Sequence, residues 1–399
     1  MNHDERMGSF ALYPEAEAVT DRVVSDTFSD PLAIEAFWFR WYLEGFVDEG
    51  HGKLKCLLGR PGAGKTHLLR HLGMKARESG YRTAYVDARS ERISFIDELY
   101  RAVASHIDWE DIVEKASRAV ITNELGYPEF FGDVSQFMTW GDTERHLSPN
   151  LLRRDIREAT DRFLQNSDLH PDFSMAIRTW INQEMSGEPS DTTIQEWLQG
   201  SKLAASQRKS LDVRSNVTRR NARSFLSSLA SFIHHSGGRG LLVFIDNIDV
   251  IAATSRTDGR PYYTRNARDH SYEMIRELID ESPFTPYLMT VLAGNTDQVT
   301  NPRSGFPSYP ALWTRLQSEV QSPNPNRFAD VIDLDQLWEY DVSDQENLAR
   351  LWREASIEWS DKPQDLQVHR SIGLEWGRPR RHIAEVLKPR LPETGGDLI

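Results

Sequence analysis

Short apolar runs alternate with amphipathic stretches along most of this 399-residue chain. Leu54-Lys55-Cys56-Leu57-Leu58 reads as a buried strand closed by Gly59, and Thr66–Arg77 follows it with helical spacing. Further strands are expected at Arg82–Val86, Leu241–Ile245, Tyr287–Ala293 and Phe328–Leu334. Apolar strands separated by helical segments predict an α/β protein whose parallel sheet is covered on both faces. The second and third strands stand about 150 residues apart, against roughly 30 for a simple βαβ unit. Helical periodicity fills that gap at Phe95–His106, Leu151–Leu164, Asp172–Met185, Thr193–Leu198 and Arg220–His234, so a large helical insertion is expected at about 95–235. Gly126-Tyr127-Pro128 and Gly187-Glu188-Pro189 interrupt its helices.

The two ends read differently. Residues 1–28 are polar and are expected to form a loose arm. Asp30-Pro31 opens a helix carrying Ile34, Phe37, Trp38, Trp41 and Phe46, an aromatic stripe read as core packing. Near the other end, Ser343-x-x-Glu346 is a capping box followed by Leu348, Leu351 and Trp352 at helical spacing, and a second helix starts at Pro379. The expected division is an arm at 1–28, a nucleotide-binding core at 29–335 and a helical lid at 336–399.

Composition narrows the function classes. The longest apolar runs, Leu241–Ile245 and Tyr287–Ala293, are far shorter than the ~20 residues of a membrane span. The polar N-terminus carries no apolar signal region. A single cysteine, Cys56, excludes an internal disulfide and a cysteine-rich metal site, and a reducing cytoplasm is the simplest home. Histidines show no metal-ligand spacing, and no Ser/His/Asp or Cys/His set stands out. A net charge of -13 argues against a surface coated for nucleic acid, though not against a local basic groove.

The strongest chemical signal is Gly59-Arg60-Pro61-Gly62-Ala63-Gly64-Lys65-Thr66, with His67 next in line. Glycines let the backbone wrap closely, so that successive N–H groups face phosphate oxygens, and the following helix adds its positive end. Lys65 is placed to reach the β- and γ-phosphates of ATP, and the Thr66 hydroxyl to ligate Mg²⁺. A second signal, Leu241-Leu242-Val243-Phe244-Ile245-Asp246, is an apolar strand ending in a carboxylate, a Walker B arrangement in which Asp246 holds Mg²⁺ through water. The next residue is Asn247, where many such ATPases carry a glutamate that orients the attacking water. Asp249 either takes that role or only caps the next helix.

Together these motifs resemble those of AAA+ ATPases, and the resemblance assigns further residues. Asn295, at the end of the fourth strand, is the sensor 1 position, with a plain strand-ending turn as the other reading. In Gly377-Arg378-Pro379-Arg380, Arg380 matches a lid arginine that reaches back to the γ-phosphate, the alternative being a solvated helix start. Arg327, just before the fifth strand, stands where an arginine finger is supplied to a neighbouring subunit; Arg315 is the alternative, and either is otherwise a surface charge.

Residues 201–223 hold seven Lys/Arg against one acid. Arg256, Arg260, Arg265 and Arg268 interleave with Tyr262 and Tyr263, and Arg378, Arg380, Arg381, Lys388 and Arg390 cluster near the C-terminus. Such sets suit phosphates and bases, so DNA is a candidate partner; subunit contacts or solvated faces are the plainer reading.

From about residue 30 to 390 the chain resembles the ATP-binding protein of BREX-type bacteriophage defence systems. The stretches that carry this resemblance are Trp197-Leu198-Gln199-Gly200, Asn221-Ala222-Arg223, Tyr272–Asp280, Ser308–Arg315 and Asn326–Asp330. It implies a cytoplasmic ATPase that assembles with itself or with other defence components. The expectation is ATP turnover coupled to remodelling of partners or DNA, with a nucleotide-dependent switch or scaffold of little hydrolysis as the alternative.

Overall fold

A computed structural model describes residues 33–340, apart from residues 62, 166, 189–191, 255–258 and 323–325. The expected arm, the Asp30-Pro31 helix start and the lid helices beyond Ser343 lie outside the described residues.

The chain enters through helix α1 (Ile34–Trp38), which continues as a π-helix over Phe39–Val47. The Asp48 and His51 N–H groups reach five residues back, to the Leu43 and Phe46 carbonyls. The wider turn changes which side chains face inward. Ile34, Trp38, Leu43 and Val47 are buried, whereas Trp41 is 52% exposed, so the expected aromatic stripe is only partly core.

Strand β1 (Lys53–Leu58) then leads to helix α2 (Lys65–Glu78) and strand β2 (Arg82–Asp87). Between β2 and β3 the described residues form helices and no strand: α3 (Ile96–Ser105), α4 (Trp109–Ala119), α5 (Phe137–Arg145), α6 (Pro149–Gln165), α7 (Pro171–Met185), α8 (Thr192–Leu198), α9 (Ala205–Ser210) and α10 (Ala222–His235). Of these α4, α5 and α9 were not expected, although Trp109, Ile112, Val113 and Ala116 line one buried face of α4 at helical spacing. Strand β3 (Leu241–Asp246), helix α11 (Arg265–Glu281), strand β4 (Leu288–Gly294), helix α12 (Pro310–Val320), strand β5 (Val331–Asp333) and helix α13 (Leu334–Tyr340) follow.

The five strands form one sheet in the order β2-β3-β4-β1-β5, with every pairing parallel. Alternate residues serve two cores. Leu57, Leu242, Phe244, Met289, Val291 and Ala293 pack against α1 and α2. Leu54, Cys56, Leu58, Val243, Ile245 and Leu292 face the larger core built with α3–α8 and α10. Burial on both faces is why β3 is apolar up to Asp246 and β4 is apolar but for Thr290.

Two details set the edge of the sheet. The fifth strand was expected from Phe328 but starts at Val331. Lys55, a fully buried lysine on β1, takes the intervening acceptors: its Nζ donates to the Phe328 and Ala329 carbonyls (2.8 and 2.9 Å) and to Asp330 Oδ1 (3.0 Å). The same ammonium lies 3.9 Å from the centre of the Tyr42 ring. On α11 and α12, Arg276 bonds Glu273 and Asp280, Tyr309 donates to Glu273 (2.8 Å), and Arg315 grips Asp280 through two 3.0 Å bonds.

Burial lowers the Lys55 pKa to about 8, against the upward pull of Asp330. Between that value and about 10.4 the unfolded chain binds more protons at this site than the folded one, so stability rises with pH. Lys55→Met is expected to flatten that rise between about pH 8 and pH 10 and to cost about 1–3 kcal/mol at pH 7, by stranding two carbonyls. Urea denaturation across that pH range checks both effects.

Candidate functional site

In a parallel sheet all strands present their carboxyl ends along one edge, and ligands bind there. The registers align Asp87 with Asp246, Ile245 with Leu292, and Leu58 with both Gly294 and Asp333. Across that edge the chain therefore presents, in order, Asp87 and Asp246, then Asn295 just past β4, then Gly59 and Asp333.

The loop from Gly59 joins β1 to α2. Gly64 caps the helix at φ 92°, a conformation in which a side chain is strained. A Cβ on Gly59 would stand 2.9 Å from the Ala63 Cβ, so close approach explains that glycine. Arg60 and Pro61 are exposed, Ala63 is buried, His67 is half-buried in the first turn of α2, and Gly62 lies outside the described residues. Lys65 folds back over the loop and donates to the Gly59 and Arg60 carbonyls at 2.6 and 3.2 Å. Burial lowers its pKa, against the pull of Asp246, Asp249, Asp335 and Asp333.

Asp246 is only 1% exposed, and its oxygens are all engaged. Thr66 Oγ1 donates to Oδ2 at 2.7 Å across 180 residues of sequence, and Tyr85 donates to the same oxygen. The Asn247 N–H donates to Oδ1 at 2.7 Å. Arg70, on α2, lies 4.3 Å over the Tyr85 ring. The two sequence signals thus meet directly.

Asp249 stands in the 3₁₀ turn Ile248–Ile251 after β3. Burial raises its pKa, with Lys65 pulling it down and Asp246 pushing it up, so both lie within its electrostatic reach. The Asn295 side-chain oxygen is buried and, among the described residues, accepts no hydrogen bond. β4 lies between β1 and β3, so Asn295 stands between the loop and Asp246. Thr296 donates to Asp333 (3.3 Å), whose pKa burial raises. Asp335 accepts the Arg60 N–H at 2.7 Å.

Other expected residues are not gathered here. Arg327 lies in the turn before β5, while the opposite end of β5 borders the loop. Arg315 is held by Asp280 on α12's own side of the fold. Arg380 lies outside the described residues. Conversely, Tyr85, Asp87, Arg89, Asp333 and Asp335 were not singled out from sequence. The available signal was positional, a polar residue ending or following a strand whose neighbours carry the motifs.

The donor set suits a polyphosphate. A lysine that, among the described residues, is satisfied by loop carbonyls, and the open N-terminus of a 14-residue helix, converge on one end of the sheet, with an unpartnered buried acceptor, the Asn295 amide oxygen, beside them. The fold and this loop are compatible with a P-loop nucleotide-binding protein. The chain belongs to the BREX system ATP-binding protein BrxC/D family, which matches residues 44–356 and so takes in every strand of the sheet. No curated protein shows significant similarity to the chain. Among the described residues no helix is long and apolar enough to cross a membrane.

Lys65→Ala removes the one ammonium in the loop. ATP affinity is expected to fall more than about tenfold, or about 1.4 kcal/mol, with the fold retained. Titration calorimetry alongside circular dichroism reads both, and unchanged affinity would remove the loop from the binding site.

Proposed function

We propose that this protein is an AAA+-like ATPase acting in phage defence, binding ATP with Mg²⁺ at the carboxyl edge of the sheet and hydrolysing it to ADP and phosphate. The observation that carries this reading is the 2.7 Å contact between Thr66 Oγ1 and Asp246 Oδ2. It brings together a hydroxyl and a carboxylate of the kind that share a nucleotide-bound cation. The cation, when bound, neutralises charge on the β- and γ-phosphate oxygens.

The chain's own residues do the rest. Lys65 exchanges the Gly59 and Arg60 carbonyls for phosphate oxygens. Asn295 accepts a hydrogen bond from the attacking water through its amide oxygen and so helps position it. Asp249 supplies the carboxylate that orients water, since Asn247 can hydrogen-bond but cannot take a proton. Arg327, placed away from this protomer's own site, suits a finger supplied to a second copy, and Arg380 suits a lid contact. Self-assembly or assembly with other defence proteins fits both roles. For DNA, the segment after β3 keeps Tyr262 exposed, but Tyr263 is buried. Arg223, in another basic stretch, is spent on Glu277 and Glu281 (both 2.5 Å).

One observation favours the alternative of a slow nucleotide switch: Asn247 stands where a carboxylate is usual, and its amide is bonded to Asp87 at 3.0 Å. Phosphate release decides. Under the proposed reading Asp249→Asn abolishes turnover with ATP binding nearly intact, and Asn247→Glu does not raise the rate. A slow wild type accelerated by Asn247→Glu supports the switch instead. Asp246→Ala is expected to keep part of the nucleotide affinity and lose its Mg²⁺ dependence; turnover at the wild-type rate would exclude Asp246 as the metal carboxylate.

Asp249 must be ionised to take a proton from the attacking water, and burial raises its pKa. Activity should therefore fall on acidification at a pH above the ordinary aspartate value of about 3.9. A pH–rate profile of the wild type locates that limb.

A further inference from the structure

Asp87 ends β2 in register with Asp246 on the neighbouring strand, and its carboxylate is gripped from two sides. Arg89 supplies its backbone N–H (3.0 Å), its Nε (3.1 Å) and its Nη2 (2.6 Å). Asn247 supplies its side-chain Nδ2 at 3.0 Å. A carboxylate held in an arginine fork accepts hydrogen bonds, so the amide must turn its nitrogen to Asp87 and its oxygen to the opposite side.

Asn247 also has an uncommon backbone, at φ 58° and ψ 34°. This left-handed region is disfavoured for residues with a Cβ, and asparagine is among the few that visit it. In that conformation its N–H turns back onto Asp246 Oδ1 at 2.7 Å, and its carbonyl accepts the Val250 N–H at 3.1 Å, starting the turn that carries Asp249. One residue thus sets the aim of Asp246 and the path to Asp249, and its side chain is anchored on β2.

We propose that Asp87, with Arg89, is a positioning residue of the nucleotide site: through the Asn247 amide it holds the turn after β3 so that Asp246 faces the cation position and Asp249 the reacting phosphate. This rests on the nucleotide-binding reading above. Both act on the site through Asn247 rather than by touching the nucleotide. Arg89 is half-exposed, so the clamp is reachable from the surface beside β2, where a binding partner that draws Arg89 away would loosen it.

The test exchanges the two ends of the hydrogen bond. Asp87→Ala, Asp87→Asn, Asn247→Asp and the double variant Asp87→Asn/Asn247→Asp are compared with wild type as full-length chains. The readouts are the Mg²⁺ concentration that half-saturates tight binding of a fluorescent ATP analogue, phosphate release, and melting temperature. Asp87→Ala is expected to raise the Mg²⁺ requirement about tenfold, with metal-free affinity unchanged, and to lower turnover at least as much. Asn247→Asp sets two carboxylates face to face and should do the same. The double variant, in which the amide on β2 donates to the carboxylate on the turn, should recover to within about threefold of wild type.

A merely structural contact would lower the melting temperature and leave the Mg²⁺ requirement in place, which overturns the proposal. So does a double variant no better than its parents. If Asp87→Ala does not fold, the near-isosteric Asp87→Asn and Asn247→Asp variants carry the comparison alone. A wild type that binds no nucleotide defeats the underlying reading and this proposal with it. A wild type that binds nucleotide with no effect of Asp87→Ala defeats this proposal only.

Discussion

A charge as deeply buried as that of Asp246 must be paired or hydrogen-bonded, and the whole carboxyl edge of the sheet is arranged around that requirement. Its oxygens take donors from three directions: Thr66 on the phosphate-loop helix, Tyr85 on β2, and the N–H of Asn247 in its own turn. Each donor belongs to a different element, so the carboxylate ties β1's loop, β2 and β3 into one unit. Asp246, Asp249, Asp335 and Asp333 all act electrostatically on Lys65, so the loop's one ammonium and these four carboxyl groups share one end of the sheet.

The opposite rim of the same sheet solves a similar problem with the opposite sign. Lys55 is buried on β1, and all three of its ammonium donors are used by the turn before β5. That use removes two carbonyls from the strand ladder and leaves β5 only three residues long. A short edge strand also exposes little unpaired backbone to other chains. The expected strand from Phe328 failed because apolar patterning carries no information about a lysine far away in sequence.

The segments most distinctive in the sequence turn out to hold one another. Tyr309 and Arg315, from one of them, bond Glu273 and Asp280 in another, and Arg223 from a third bonds Glu277 and Glu281. Tyr100 donates to the Leu198 carbonyl at 2.6 Å, and Trp197 to that of Ser215 at 3.2 Å, locking the helical layer against itself. Read along the chain, Arg315 and Arg223 are candidates for chemistry, one as an alternative finger and one in a basic stretch. In the fold, Arg315 is engaged by a bidentate carboxylate, a geometry that only two packed helices create.

What the sequence by itself determined is local. Short apolar runs placed four of the five strands to within about a residue or two, glycines before a helical stretch marked the loop between β1 and α2, and the end of an apolar run marked Asp246 as the last residue of β3. Each depends on residues within one element, where backbone sterics and side-chain periodicity act at short range. Tertiary structure alone decided the rest. It set β4 between β1 and β3, so that Asn295 stands between loop and carboxylate. It put Asp87 beside Asp246 and turned the Asn247 amide onto it. It widened the first helix into a π-helix that buries Leu43 and leaves Trp41 in solvent. Strand order, charge pairing and helix phase arise from contacts between residues far apart in the chain, and no periodicity along the chain encodes which distant partner a buried charge will find.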